Sequence, residues 1–267
     1  MEKQGQFEFN ASKTGEGSVS IAFRHAVAKE GAPTFVWLGG FRSDMLGTKA
    51  EAMVEQAAEF RANSFRFDYS GHGESGGDFA KGTISKWLAQ SLAVIRAETE
   101  GPLILLGSSM GGWISLRMVQ EMQTTGDAER IAALLLIAPA PDFATELMEP
   151  SFSNEQREAM ARDGYILEPS EYSDEPTMIT RDLIEDGRQN RIFSGPYKAG
   201  VPVRILQGMQ DPDVPYEHVL RLVSHLGEDD VVVTMVRDGD HRLSRDQDID
   251  LLKRAMHDVY QRVTNDR

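Results

Sequence analysis

The chain contains no cysteine, which excludes disulfides, thiolate catalysis and cysteine-ligated metals while leaving the compartment open. No apolar run approaches the roughly 20 residues that a bilayer-spanning helix needs. The opening Met1-Glu2-Lys3-Gln4-Gly5-Gln6 lacks the basic stretch and apolar core of an export signal, so an unexported, soluble protein is expected. Basic residues are also scarce: 28 Lys and Arg stand against 42 Asp and Glu, a formal charge of -14. That balance disfavours nucleic acid and anionic membranes as partners. Internal repeats and low-complexity tracts are absent. At 267 residues the chain suits one α/β domain with an insertion, and no composition break marks a second core.

What the chain does have is alternation of strand and helix patterns. Stretches 34–38, 64–68, 103–106, 131–137, 201–206 and 231–236 read as strands, with a weaker alternating one at 19–24. Between them, 49–61 keeps helical period through Met53, Ala57, Ala58 and Phe60, and 85–98 through Trp87, Leu88, Leu92 and Ile95; 113–122, 216–226 and 246–263 also read as helices. Apolar runs buried on both sides and separated by helices predict a doubly wound, mostly parallel α/β sheet. From Pro139 to Gly200 the pattern changes to Pro, Ser, Met and acidic residues without a long apolar run. Short helices outside the sheet are expected there, so that residues 1–138 and 201–267 form the core and 139–200 a cap. An insertion of roughly 60 residues at the C-terminal edge of such a sheet overlies the place where these sheets bind ligands.

The apolar run 103–106 breaks into Gly107-Ser108-Ser109-Met110-Gly111-Gly112-Trp113. Glycines flanking a serine in G-x-S-x-G spacing, between strand and helix, describe a tight turn that exposes the Ser109 hydroxyl as a nucleophile. A serine alone is a poor nucleophile and needs a base and a group that orients the base. The strand 201–206 leads into Gln207-Gly208-Met209-Gln210-Asp211-Pro212-Asp213, and the strand 231–236 into Asp238-Gly239-Asp240-His241-Arg242. Asp211 is the candidate acid and His241 the candidate base, in the chain order Ser, acid, His. Asp142, after the preceding strand, is a rival acid; Asp213 reads as a solvated or capping group, and Asp240 adjoins the histidine too closely to reach its ring. His72 precedes the serine and is read as part of a structural loop, while His25, His218, His225 and His257 take surface or packing roles. The amide of Met110, opening the helix, and that of Phe41, after Gly39-Gly40, are the expected oxyanion donors. Gly40 lets the backbone approach the substrate. In the cap, Met148, Phe152, Met160, Tyr165, Ile166, Met178 and Ile179 offer an apolar lining for an acyl chain, although such residues more often pack onto the body.

Taken together, Gly39-Gly40-Phe41, Asp68-Tyr69-Ser70-Gly71-His72-Gly73-Glu74-Ser75, the Ser109 turn, Gly208 to Pro215 and Asp240-His241-Arg242 resemble the α/β-hydrolase superfamily over nearly the whole chain. The Gly-Ser-Ser-Met-Gly-Gly-Trp and Asp-Tyr-Ser-Gly runs, with Gly47-Thr48-Lys49-Ala50, look most like its mitochondrial acyl-protein thioesterase and acyl-glucuronide esterase branch and that branch's bacterial relatives. The resemblance implies a small helical cap after the sixth strand and hydrolysis of palmitoyl thioesters or carboxylic esters through an acyl-serine. It implies neither cofactor nor metal, and substrates that are small molecules or acylated proteins. Many members carry His-Gly where this chain has Gly39-Gly40. An Arg-rich, acid-poor transit segment is not evident, so a cytoplasmic, bacterial enzyme is expected. An amide or carbon-carbon bond hydrolase with the same three residues, and a non-catalytic ligand-binding protein on the same fold, are the alternatives.

Overall fold

The computed structural model describes residues 2–10, 17–169 and 176–265; residues 170–175 of the expected cap lie outside them. In chain order the strands are β1 (Glu2–Phe9), β2 (Val19–Ala26), β3 (Thr34–Leu38), β4 (Asn63–Phe67), β5 (Leu103–Ser108), β6 (Ile131–Ile137), β7 (Tyr165–Glu168), β8 (Thr177–Thr180), β9 (Val203–Gly208) and β10 (Val231–Val236). The helices are α1 (Thr48–Glu59), α2 (Ile84–Glu98), α3 (Met110–Thr125), α4 (Glu149–Ser151), α5 (Asn154–Asp163), α6 (Arg181–Gln189), α7 (Tyr216–His225) and α8 (Asp246–Asn265). The main sheet runs β1-β2-β4-β3-β5-β6-β9-β10. It is antiparallel at β1, β2 and β4 and parallel from β4 through β3 to β10.

Because side chains alternate across a strand, each apolar run feeds two cores. Val36, Leu38, Leu103, Leu105, Leu134 and Leu136 face one side, with Trp87 and Leu88 of α2 and Trp113 and Ile114 of α3. Phe35, Trp37, Ile104, Leu106, Leu135 and Ile137 face the other, with Met53 of α1 and Leu252, Met256 and Val259 of α8. At about 1.5 to 3 kcal/mol for each fully buried aliphatic side chain, this two-sided burial outweighs the β-branched or helix-forming preference of any single residue. It also makes every one of these runs a strand.

The expected sheet is present and one strand longer than expected. β1 leaves Lys3, Gln4, Gln6 and Glu8 exposed and half-buries Glu2, Gly5, Phe7 and Phe9. Such a polar edge strand has no apolar run to announce it. Gly5 lies opposite Phe23, whose ring would meet a methyl group there at 2.4 Å. Pairing with β2, not intrinsic propensity, makes this segment a strand.

The insertion leaves β6 through Pro139-Ala140-Pro141-Asp142, passes a π-helical turn at Ala144–Met148 into α4, and continues as α5, β7, β8 and α6 before β9. Short helices are found as expected, but a two-stranded antiparallel hairpin, β7 with β8, accompanies them. Its four-residue strands are too short to show a period in sequence. The pair Ile166 and Ile179 faces the core and is buried, whereas Leu167 and its partner Met178 occupy the other face.

Candidate active site

Three loops at the C-terminal ends of β5, β9 and β10 meet at one edge of the sheet. Their approach depends on the absence of side chains. A methyl group on Gly107 would lie 2.5 Å from the Gly111 carbonyl oxygen, and one on Gly111 would lie 2.0 Å from that of Leu38. Ser109 itself takes φ 53° and ψ -115°, a conformation that L residues rarely adopt and that the surroundings must hold. They do so through its amide, which donates to the Ile137 carbonyl at 2.9 Å, and its carbonyl, which accepts from Gly112 at 2.9 Å and Ala140 at 3.1 Å. Ser109 stands just before α3 without capping it by its side chain. The hydroxyl therefore remains available for other chemistry.

His241 Nε2 lies 3.1 Å from Ser109 Oγ, and His241 Nδ1 lies 2.8 Å from Asp211 Oδ2. The carboxylate accepts only, so Nδ1 carries the proton and the bare Nε2 faces the hydroxyl. Asp211 is held as firmly as the serine: its Oδ1 accepts from the amides of Asp213 at 2.9 Å and Val214 at 2.8 Å, and its side chain is fully buried. Gly208 lets the acid loop touch the histidine loop, since a methyl group there would lie 2.4 Å from the Gly239 carbonyl. Lys49 Nζ donates to the carbonyl of Arg242, fixing the residue after the histidine from the side of α1. Burial pulls the Lys49 ammonium down to about 8.

The Gly39-Gly40-Phe41 turn sits beside the serine. A methyl group on Gly40 would lie 3.4 Å from Ser109 Cβ, and the amides of Phe41 and Met110 have no acceptor among the described residues. The half-buried Phe41 ring packs edge-on against Phe79 at 4.9 Å and tilted against Phe143 at 5.6 Å, continuing to Trp113. An apolar wall therefore adjoins the turn.

The other candidates are placed elsewhere. Asp142 is wholly buried, and its oxygens accept from the amides of Ile192 at 2.7 Å and Phe193 at 2.9 Å, with burial pushing its carboxyl up. It binds the insertion to itself, while His241 pairs with Asp211. Phe152 and Ile179 are buried core side chains, Met148 and Met160 pack half-buried against that core, and Tyr165 is exposed. Asp240 accepts from the Leu243 amide at 2.9 Å and shapes its own loop. His218 donates from Nε2 to the Pro141 carbonyl at 2.8 Å, a packing role. Asp211, Asp213 and His241 are the described residues whose donor atoms could share a cation, all within 4.8 Å. Two of those atoms, Asp211 Oδ2 and His241 Nδ1, already face one another across a hydrogen bond.

Gln207 was not singled out by the sequence. Fully buried, its Nε2 lies 3.3 Å from Asp211 Oδ2 and is fixed by the carbonyls of Gly208 and Val214. An amide next to the end of β9, after Ile205-Leu206 and four residues before the acid, is the signal that marks it.

Residues 35–262 match the model of the alpha/beta hydrolase family. The mitochondrial palmitoyl-protein thioesterase ABHD10 of Mus musculus is 31% identical over 246 residues, which is 92% of this chain and 80% of that protein. The solved structure of alpha/beta hydrolase domain-containing protein 10 from mouse superposes with a TM-score of 0.83 at 30% identity, covering 97% of this chain and 99% of the other. A crystal structure of a protein from Agrobacterium vitis S4 is 50% identical with a TM-score of 0.93 over 97% of this chain and 99% of the other. The chain belongs to the α/β-hydrolase family, in which it is related to the ABHD10 thioesterases.

Proposed function

We propose that this protein is a serine hydrolase that cleaves acyl thioesters or carboxylic esters through an acyl-serine, without a cofactor. The observation that carries the reading is the unbroken hydrogen-bonded line from Ser109 Oγ through His241 to Asp211, at 3.1 and 2.8 Å. In the first step Ser109 Oγ bonds to the acyl carbon as its proton passes to His241 Nε2. The charge that develops on the acyl oxygen is met by the amides of Met110 and Phe41. Collapse breaks the bond to the leaving group, which takes the proton from His241 and departs as a thiol or alcohol. Water then repeats the sequence, giving the carboxylic acid and free Ser109. Asp211 keeps the imidazole in its reacting tautomer and stabilises the imidazolium.

The mouse relative's name supplies the thioester side of this proposal, a palmitoyl-protein. The apolar wall of Phe41, Phe79 and Phe143 beside the turn suits an acyl chain. The 139–200 segment serves as the cap that shapes the chain's path. Among the described residues no helix is long and apolar enough to cross a membrane; the cytoplasmic address is proposed alongside the activity, the named mammalian relatives being mitochondrial.

A fluorophosphonate probe tests the assignment. Labelling at Ser109, with turnover of p-nitrophenyl esters from acetate to palmitate and of a palmitoyl thioester, is the expected result. Ser109→Ala should lower turnover by about 10⁴-fold or more. Full activity in that variant overturns the proposal; tight ligand retention without turnover would mark a binding protein instead.

A further inference from the structure

His72 is among the buried ionisable side chains of the site region that the mechanism does not use. His72 is 4% exposed, enclosed edge-on by the rings of Tyr69 at 5.5 Å, Phe79 at 5.2 Å and Trp87 at 5.2 Å. Its two nitrogens face partners of opposite kind. Nδ1 lies 3.2 Å from the Ser70 carbonyl, which only accepts, and Nε2 lies 3.2 Å from the Arg42 amide, which only donates. The proton is therefore on Nδ1, and Nε2 is an acceptor for the backbone of the oxyanion turn.

That turn is steered from both sides of Phe41. The Gly40 carbonyl accepts from the Ser43 amide at 3.2 Å and from Ser43 Oγ at 3.0 Å. In a trans peptide the carbonyl and amide point opposite ways, so the Phe41 N–H is directed away from Ser43. The next peptide is anchored by Arg42 N–H on His72, and Arg42 takes φ +59°, a left-handed conformation unfavourable to a residue with a side chain. The Phe41 N–H belongs to the preceding Gly40-Phe41 peptide, which shares the Phe41 Cα; without an acceptor for the Arg42 N–H the torsions on the other side of that carbon are released, and the turn that presents the Phe41 amide loses one of its two anchors. Tyr69 adds a third tie, its hydroxyl donating to the Gly39 carbonyl at 3.3 Å.

On the reading that Phe41 N–H is an oxyanion donor, we infer that His72 is a positioning residue: its neutral imidazole holds the Phe41-Arg42 peptide so that the Phe41 amide is aimed before substrate arrives. Burial lowers the imidazolium to about 4, which keeps Nε2 an acceptor at neutral pH.

Three substitutions separate the two hydrogen bonds of His72. His72→Asn keeps a donor near Ser70 but is too short to reach Arg42; His72→Gln places a carbonyl oxygen near the former Nε2; His72→Phe keeps the ring packing and removes both. With p-nitrophenyl butyrate, Asn and Phe should lower kcat about 10- to 100-fold with KM within about twofold, and Gln should stay within about fivefold of the parent. An alkyl trifluoromethyl ketone, whose adduct places an oxyanion in the same hole, should lose affinity in Asn and Phe by the factor lost in kcat. Parental kcat and inhibitor affinity in Asn and Phe would overturn the inference, as would a Gln variant as impaired as Asn with an equally lowered Tm. If Phe does not fold, Asn against Gln carries the same comparison. Ser109→Ala run alongside separates the two levels: retained turnover there sinks the hydrolase reading and this inference with it, whereas an inactive Ser109→Ala beside fully active Asn and Phe variants sinks only the role of His72.

Discussion

The loops at the sheet's C-terminal edge and the insertion between β6 and β9 share one device, Asp211 and Asp142 each accepting two amides, and differ in the close backbone approaches that the edge loops add. At the edge, backbone meets backbone: Gly107, Gly111 and Gly208 permit approaches that a methyl group would block at 2.5 Å or less. Ser109, Asp211 and His241 are thereby carried on rigid strand ends. In the insertion the ties are side chains. Asp142 accepts two amides, Glu146 pairs with Arg191 and Arg221, Arg188 with Glu149, and Ser153 and Gln156 cap α5 reciprocally. Exposed ion pairs of this kind each contribute about 1 kcal/mol or less. The comparison teaches that the groups proposed to react are placed where backbones pack most closely, while much of the part proposed to meet the acyl chain is held by exposed side-chain pairs.

Three experiments can break that contrast. The largest effect is expected at Gly111→Ala, where the added methyl group meets the Leu38 carbonyl at 2.0 Å. Backbone has to move, at a cost of about 3 kcal/mol or more, and urea unfolding with ester turnover should show both stability and activity reduced. A variant of parental stability and activity would mean that the edge is less rigid than the close approach implies.

Acid comes next. His72 is neutral when folded down to about pH 4, whereas an ordinary histidine protonates near 6.5. Between those values the unfolded chain binds more protons, so stability is lost as pH falls from 6.5 to 4. At roughly 1.4 kcal/mol per pH unit the loss approaches about 3 kcal/mol. Burial lowers His25 and His218 as well, adding losses of the same sign. Urea midpoints across this range should fall less steeply for His72→Phe than for the parent; parallel curves would show that His72 does not contribute.

The smallest effect sharpens the contrast from the other side. Asp142→Ala leaves the buried amides of Ile192 and Phe193 unpaired, a cost of about 1 to 3 kcal/mol. Turnover of a short ester should change little while chain-length preference shifts. Collapse of short-ester turnover would show that the insertion and the edge loops act as one unit.

Much of the molecule was legible in the amino-acid order. Seven strands of the main sheet were legible, most of them from the apolar runs that two-sided burial demands and the one at 19–24 from a weak alternation. The residues of the Ser109, His241, Asp211 line came from glycines and polar groups that interrupt those runs. Other elements carried no such mark. β1 alternates Gln and Glu with Gly5, Phe7 and Phe9 and becomes a strand only through β2, while β7 and β8 offer four residues each. The tie of Asp142 to Ile192 and Phe193 spans 50 residues or more.

The sequence by itself determined the chain order of most strands and helices of the core, the strand ends proposed to carry the chemistry, and the glycines on which the turns depend. Those are local properties, written in burial periodicity and in residues whose backbone freedom others lack. The tertiary structure decided which carboxylate reaches His241, that Gln207 stands behind that carboxylate, and that His72 presents a bare nitrogen to Arg42. Each of these is a relation between segments far apart in the chain, where a displacement of an ångström makes or breaks a hydrogen bond, and no local pattern encodes it.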